Sequence, residues 1–351
     1  MVEALDLAGD PGRVHTEGRR ARALLEEARA RVAALLGARS REVVFTSGAT
    51  ESVAAAVWGA GRRGSHVVAA AVEHSAVRQA SARLVLTEVG ADRRGRVDPE
   101  ELLDAVEPGR TALVHLQWAN HEVGTLQPVA EVVTRCRELG VLVHVDAAAA
   151  AGHVPVAFDE LGADLVSVSA HKLGGPTGAG ALLVRQGLRL PPLLVGGDQE
   201  RSRRAGMENV AALVGFGAAA AALGGGALAA EAEADRRRTE RLLAAATAVE
   251  GVEPYGDTRD RLPHIVCFGV AGVEAEAVVL GLDQAGVAVH SGSACSSEAL
   301  EPSPVLEAMG VDADRSVRCS TGWSTTDDDV SAFSAAFPAL VARLRALRGA
   351  G

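Results

Sequence analysis

The stretch Asp164-Leu165-Val166-Ser167-Val168, followed by Ser169-Ala170-His171-Lys172, places a lysine four residues after a short apolar run. Such a run, rich in valine and leucine, predicts a buried strand. A lysine withdrawn from water where a strand ends is costly unless it reacts or is paired. Buried lysines act as nucleophilic amines, which is what Schiff-base formation requires. We therefore expect Lys172 to hold an aldehyde cofactor, with a surface lysine after a strand as the alternative.

Similar apolar runs recur along the first two-thirds of the chain and alternate with segments of helical periodicity. The runs lie at residues 42–45, 66–69, 111–115, 141–145, 164–168 and 181–184, and the helix-like segments include 21–36, 99–106 and 129–138. Alternation of this kind predicts an α/β fold whose mostly parallel sheet lies between helices. Ligands of such sheets bind beyond the carboxyl ends of the strands.

A second, smaller unit is expected after the glycines at 224–226. The charged segment 231–241 predicts a long helix, and strands are expected near 264–268 and 287–290. With 351 residues the chain is long enough for two cores. We predict a large cofactor-binding domain at 1–226 and a small α/β C-terminal domain at 227–351.

Composition excludes several classes of function. The net charge of −10 gives no general attraction for nucleic acid or an anionic membrane. We expect no apolar stretch long enough to span a bilayer without charges, and the N-terminus shows no secretion signal. The four cysteines are far apart, which argues against a disulfide framework or a zinc site and for a reducing cytoplasm.

Polar residues follow several of the predicted strands. The segment Thr46-Ser47-Gly48-Ala49-Thr50-Glu51-Ser52 precedes a helix-like stretch, and a helix start with free N–H groups suits a phosphate. An ordinary Ser/Thr helix cap is the alternative. Glu73-His74 follows the next run, and Asp146 ends another in an apolar setting that favours a cationic partner.

Taken together, these residues predict a site for pyridoxal phosphate (PLP). Asp is a usual partner of the PLP ring nitrogen, although a helix cap explains Asp146 alone equally well. His74 is a candidate for stacking on the ring, and alone it reads as a structural histidine. A phosphate site, a stacking histidine, a carboxylate and a Schiff-base lysine in order at successive strand ends make a chance arrangement improbable.

Two further residues lie in the predicted second unit. Cys295 stands among small polar residues in Ser291-Gly292-Ser293-Ala294-Cys295-Ser296-Ser297, which is typical of an exposed loop from which a thiol can attack a substrate. Arg318 lies in a mixed apolar segment, where its guanidinium suits a substrate carboxylate. A surface ion pair is the alternative for Arg318.

At this point the chain resembles the cysteine desulfurases of the NifS/IscS type, among the class V aminotransferase-like PLP enzymes of fold type I. The resemblance extends over nearly the whole chain, in the right order. It is carried by the matching segments 9–22, 46–52, 73–74, 119–124, 144–147, 169–172, 206–210, 291–297, 300–303 and 317–320.

The resemblance implies a role for each matching position. Lys172 would hold the cofactor and move protons, His74 would stack on its ring and act as acid and base, and Asp146 would pair with the ring nitrogen. The phosphate would be held by Ala49, Thr50, Ser169 and His171. Asn120 and Arg318 would bind L-cysteine through polar contacts, and Cys295 would take its sulfur as a persulfide, leaving alanine. The resemblance also implies a cytoplasmic homodimer that passes sulfur to an acceptor protein, as in iron–sulfur cluster biogenesis.

The chain departs from the family pattern at several places. The first strand of the family is expected to be missing or replaced. His121 stands where the family has the second Asn of Asn-Asn-Glu, Ala149 where it has a Gln, and Met207 where it has a Thr. Each lost hydrogen bond to a charged group costs about 1.5–3 kcal/mol if nothing replaces it. We expect weaker cofactor retention, with His121 replacing the lost Gln as a donor. A PLP lyase for another thiol amino acid and an inactive partner-binding homologue stay open as alternatives.

Overall fold

The computed structural model describes residues 1–7, 9–292 and 302–349. Its contacts divide the chain into two compact units. The first unit comprises Met1–Val89, Pro99–Trp118 and Pro128–Leu228. The second comprises Gly90–Asp98, Ala119–Gln127 and the chain from Ala229 onward. The predicted domain boundary between residues 226 and 227 stays a prediction, and the sequence analysis does not anticipate the two early segments of the second unit.

The first unit is built around a seven-stranded sheet. Its strands are β1 (Val43–Thr46), β2 (His66–Ala70), β3 (Val85–Val89), β4 (Thr111–Gln117), β5 (Leu142–Asp146), β6 (Leu165–Ser169) and β7 (Gly180–Val184). The strand order is β1-β7-β6-β5-β4-β2-β3, and only β7 is antiparallel to its neighbours. The predicted α/β fold with a mostly parallel sheet is confirmed; β3 is a strand that the sequence analysis does not identify.

In the described part of the chain, two helices of the first unit precede β1, and the others lie between the strands or after them. They are α1 (Val2–Leu5), α2 (Thr16–Leu35), α3 (Ala49–Ala60), α4 (Ser75–Ser81), α5 (Pro99–Asp104), α6 (Val129–Glu138), α7 (Phe158–Leu161), α8 (Gln199–Ser202) and α9 (Val210–Ala222). Every residue of β1, β2, β4, β6 and β7 is buried, because helices cover a parallel sheet on both faces. The apolar side of α3 packs on this sheet through Ala56, Val57 and Ala60.

The second unit contains a four-stranded sheet in the order β10-β11-β9-β8. Its elements are α10 (Ala227–Thr247), β8 (Val252–Tyr255), β9 (Ile265–Val270), α11 (Ala275–Asp283), β10 (His290–Ser291), α12 (Pro304–Ala308), β11 (Ser316–Ser320) and α13 (Asp327–Gly349). The sheet is antiparallel throughout, and Phe268 of β9 packs against Phe333 and Phe337 of α13 in its core. Cys295 lies outside the described residues.

Helix α13 also bears on the membrane question. Within the described residues, Asp327–Arg348 is long and apolar enough by length and composition to cross a bilayer, and Val210–Ala222 with Ala227–Thr247 meets the same test only as a bent pair. This test tolerates charged residues, and Arg343 and Arg345 lie within α13, so the expectation for apolar stretches without charges stays a prediction. However, Val330, Phe333, Phe337, Leu340 and Val341 of α13 are buried in the core of the second unit, as in the core helix of a packed domain. This is weak evidence for a membrane span.

Candidate active site

Gly180 joins the two strand ends on which the candidate phosphate site is built. It lies opposite Thr46 of β1 and opposite Ser169 of β6, because β7 runs antiparallel between these two parallel strands. A Cβ at Gly180 would lie 2.6 Å from the Cα of Gly48 and 2.7 Å from the carbonyl oxygen of Val168. Only glycine therefore allows residues 47–50 to pass so close to the sheet.

Residues 47–50, here called the phosphate loop, lead into the twelve-residue helix α3. Gly48 is the N-cap residue, and no side chain caps the first turn. A Cβ at Gly48 would lie 3.8 Å from Oγ of Ser169, so the serine hydroxyl faces this helix start. Uncapped N–H groups and the helix dipole favour an anion here. Helix α3 begins at Ala49, earlier than the sequence pattern predicts, so that Ala49 and Thr50 lie in its first turn.

Ser169, His171 and Lys172 lie at the end of β6 and in the 3₁₀ turn Ala170–Leu173. Oγ of Ser169 and Nδ1 of His171 are 2.9 Å apart. Burial and the neighbouring charge of Lys172 lower the pKa of His171. Lys172 itself is exposed, so the expectation of a lysine withdrawn from water is wrong. Its amine is accessible to an incoming aldehyde.

His74 caps helix α4 with its own side chain. Nδ1 accepts the N–H of Ala76 at 3.1 Å. Because Nδ1 accepts, the neutral ring carries its proton on Nε2. The backbone at the start of α4 thus sets both the tautomer and the orientation of the imidazole.

Asp146 and Glu73 form a pair of acidic side chains near the ends of β5 and β2. Oδ1 of Asp146 accepts the N–H of Ala148 at 2.9 Å, which holds the carboxylate at the strand end. Glu73 is buried and accepts the N–H of Gln117 at 2.6 Å. Burial and the charge of Asp146 raise the pKa of Glu73 to about 8. At neutral pH, Asp146 therefore has a largely protonated neighbour.

The second unit brings Asn120, His121 and Arg318 into one cluster. Oδ1 of Asn120 accepts the N–H groups of Glu122 and Val123, which shapes this turn. The guanidinium of Arg318 donates to the carbonyl oxygen of His121 at 3.1 Å. Nε2 of His121 lies 3.5 Å from Oε1 of Glu122. The backbone of the turn thus fixes Arg318 beside His121.

Glu122 links this cluster to the residue that begins α12. Its Oε2 accepts the hydroxyl of Ser303 at 2.7 Å. Burial raises the pKa of Glu122, but hydrogen bonds from His121 and Ser303 together with the charge of Arg318 lower it overall. Glu122 is thus a stable anion between two basic side chains.

The three cysteines within the described residues, Cys136, Cys267 and Cys319, are buried. Burial raises the pKa of Cys136 and of Cys267 to about 12, and it raises that of Cys319 as well. A thiol that stays protonated is a poor nucleophile. Cys136, Cys267 and Cys319 are therefore poor candidates for a nucleophile.

The profile of the family described as "Aminotransferase class-V" matches residues 4–333. The chain belongs to this family. A class V relative named cysteine desulfurase IscS, from Dictyoglomus turgidum, is 38% identical over 97% of this chain and 89% of its own length. Cysteine desulfurase IscS 1 from Archaeoglobus fulgidus is 37% identical over 97% of this chain and 91% of its own length. The solved structure of a NifS-like protein from Rickettsia africae has a TM-score of 0.87 at 29% identity, covering 97% and 93% of the two chains.

Class V aminotransferases of the cysteine desulfurase type are PLP-dependent enzymes, and the residues of this chain fit PLP. The uncapped start of α3 and the hydroxyl of Ser169 suit a phosphate group. The exposed amine of Lys172 and the fixed carboxylate of Asp146 suit an aldehyde and a pyridinium nitrogen. Ala149 offers no side-chain hydrogen bond, and Met207 is exposed.

Two acidic residues, Glu51 and Glu73, shape this site although the sequence alone gives them no role. Glu51 accepts the N–H of Ser47 and binds Arg204, while Glu73 lies beside Asp146. Both acids stand next to residues that the sequence analysis selects, Thr50 and His74. An acidic residue next to a candidate site residue is a sequence pattern that could have identified both. No local sequence pattern identifies Arg204 as the partner of Glu51.

Proposed function

We propose that this chain is a PLP-dependent cysteine desulfurase that converts L-cysteine to L-alanine and forms a persulfide on Cys295. The observation that carries the proposal is that His74, Asp146, Ser169 and Lys172 all lie at or shortly after the carboxyl ends of parallel strands of one sheet. Relatives over nearly the full length bear the name cysteine desulfurase. Atoms balance, because L-cysteine and a thiol give L-alanine and a persulfide.

The first unit would bind the cofactor. Ala49 and Thr50 would offer N–H groups to the phosphate, Ser169 and His171 would contact it through their side chains, and Lys172 would hold the aldehyde. When bound, PLP supplies an electron sink for the bonds around the substrate's Cα. His121 would also contact the cofactor.

Asp146 and His74 would control protons. The carboxylate of Asp146, held by the N–H of Ala148, would keep the ring nitrogen protonated. His74 carries its proton on Nε2, because Nδ1 is bound to the N–H of Ala76, and Nε2 would donate or accept it during turnover. Lys172 would also move protons during turnover.

The substrate would be bound by Arg318 and Asn120. A guanidinium holds a carboxylate through parallel hydrogen bonds. The guanidinium of Arg318 is oriented by its hydrogen bond to the carbonyl oxygen of His121. Cys295 would take the sulfur and pass it to an acceptor protein. The three described cysteines are buried, which leaves this role to Cys295. We further propose that the protein acts as a cytoplasmic homodimer.

An assay with L-cysteine and a reductant tests the reaction. We expect the wild type to release sulfide and alanine in equal amounts, and Cys295→Ser to lose sulfide release by at least about a hundredfold because no nucleophile replaces the thiol. Cys267→Ser, which alters a buried thiol, is the matched control and should retain activity. Equal rates in wild type and Cys295→Ser would contradict the proposal.

A further inference from the structure

Glu51 presents an electrostatic problem at the start of α3. It belongs to the first turn of the helix whose N-terminus, under the proposed function, accepts the cofactor phosphate. Helix N-termini attract anions, but a second anion in the same turn repels a phosphate dianion. The chain must therefore neutralise this carboxylate or lose affinity for the phosphate.

Arg204 neutralises Glu51 with a two-point contact. Its Nε donates to Oε1 of Glu51 at 2.9 Å, and a terminal nitrogen donates to Oε2 at 3.2 Å. The side chains of Glu51 and Arg204 are only 13% and 24% exposed, so water screens the pair weakly. Burial raises the pKa of Glu51, but the hydrogen bond from Arg204 lowers it overall, so that Glu51 stays ionised.

Glu51 also shapes the phosphate loop directly. Its Oε2 accepts the N–H of Ser47 at 2.8 Å, one residue before the N-cap Gly48. This bond is charge-assisted and therefore stronger than a neutral one. Glu51 thus fixes the entry of the loop, which explains why a carboxylate is present where an anion binds.

The segment that carries Arg204 is itself anchored to the first strand. Glu200 binds the buried guanidinium of Arg29 at 2.6 and 2.7 Å and accepts the N–H of Phe45 in β1 at 2.8 Å. Glu200, Arg201 and Ser202 have φ of 49°, 58° and 62°, a left-handed backbone that costs energy for non-glycine residues. The ion pair between Arg29 and Glu200 holds this backbone and so fixes the position of the backbone at Arg204.

We propose that Arg204 is a positioning residue for cofactor binding. It neutralises Glu51, so that this carboxylate can hold the phosphate loop through the N–H of Ser47 without repelling a phosphate dianion. The proposal rests on the proposed function. It makes a specific demand, because pyridoxal lacks the phosphate and differs from PLP only at that end. Loss of Arg204 must weaken binding of PLP and spare pyridoxal.

The test is titration of the full-length chain, freed of cofactor with hydroxylamine, with PLP and with pyridoxal, followed by absorbance. We expect Arg204→Met to raise the Kd for PLP by about tenfold or more and to leave the Kd for pyridoxal within about twofold. The double variant Arg204→Met/Glu51→Gln should regain most of the PLP affinity, because the unpaired charge is gone.

The neighbouring Arg203 provides a matched control. Its guanidinium contacts the carbonyl oxygens of Glu200 and Arg41 and has no bond to Glu51, so Arg203→Met should keep the wild-type ratio of the two dissociation constants. Equal losses for PLP and pyridoxal in Arg204→Met, wild-type PLP affinity in that variant, or no recovery in the double variant would overturn the proposal.

Two outcomes are kept separate from these. If the wild type binds neither ligand, the proposed function fails rather than this inference. If near-UV circular dichroism shows that Arg204→Met is unfolded, Glu51→Gln alone decides. It keeps an acceptor for the N–H of Ser47 and leaves Arg204 unpaired, so we expect PLP binding at least as tight as in the wild type, and weaker binding would overturn the proposal.

Discussion

At the scale of the residue, Glu73 makes the free energy of unfolding depend on pH. Its pKa is raised to about 8 by burial and by Asp146, against the opposing effects of the Gln117 N–H and Arg78. An acid whose pKa is raised in the folded state stabilises the fold fully below its unfolded pKa, and this contribution is lost as pH rises through the folded value. From pH 5 to pH 8 the apoprotein should lose on the order of 4 kcal/mol of unfolding free energy that Glu73→Gln keeps. Urea unfolding across this range measures it, with the exposed Glu138→Gln as control; parallel curves for wild type and Glu73→Gln would refute the assignment.

At the scale of the element, β7 decides how close the phosphate loop lies to the sheet. Gly180→Ala would force its Cβ against the backbone of Gly48 and Val168, where nothing flexible can yield. We expect unfolding to become easier by about 1–3 kcal/mol and PLP affinity to fall, because the loop must shift. Gly90→Ala is the control, since a Cβ there meets no atom within 4 Å. Thermal unfolding and PLP titration measure both effects, and an unchanged Gly180→Ala would show that the loop can move freely.

At the scale of the whole molecule, the first unit exposes apolar side chains that suit the proposed homodimer. Val195 is 78% exposed and Met207 63%, and an open pocket of about 550 Å³ is lined by Trp58 and Leu193 among others. Exposed apolar surface of this kind marks interaction sites. Light scattering should therefore give about twice the chain mass of 35.9 kDa. Val195→Glu should lower the measured mass, because dimerisation would then bury a charge in the interface. A monomeric wild type at micromolar concentration would contradict the dimer; Val14→Glu, at a residue that is also exposed, is the control.

How far the sequence predicts this site depends on how its residues are joined. Lys172 and Asp146 are found because Asp146 ends one apolar run and Lys172 follows shortly after another, and such runs reveal strand ends. The pair of Glu51 and Arg204 is missed because 153 residues separate its members and no local pattern joins them. The exposure of Lys172 is missed for a related reason, because the distance from strand end to solvent depends on the following turn. A pattern of hydrophobic residues reports burial along one element and says nothing of which side chain comes from elsewhere.

The pairing of β1 with β7 also has a consequence for how the protein folds. Val43 of β1 lies opposite Leu183 of β7, a separation of 140 residues along the chain. Contacts of such long range form slowly, since the loop entropy is lost before the contact repays it. Both sides of the phosphate loop depend on this pairing, so we expect the anion site to be completed late, after most of the large sheet has been synthesised. A nascent chain therefore gains no help from the cofactor until its topology is already decided.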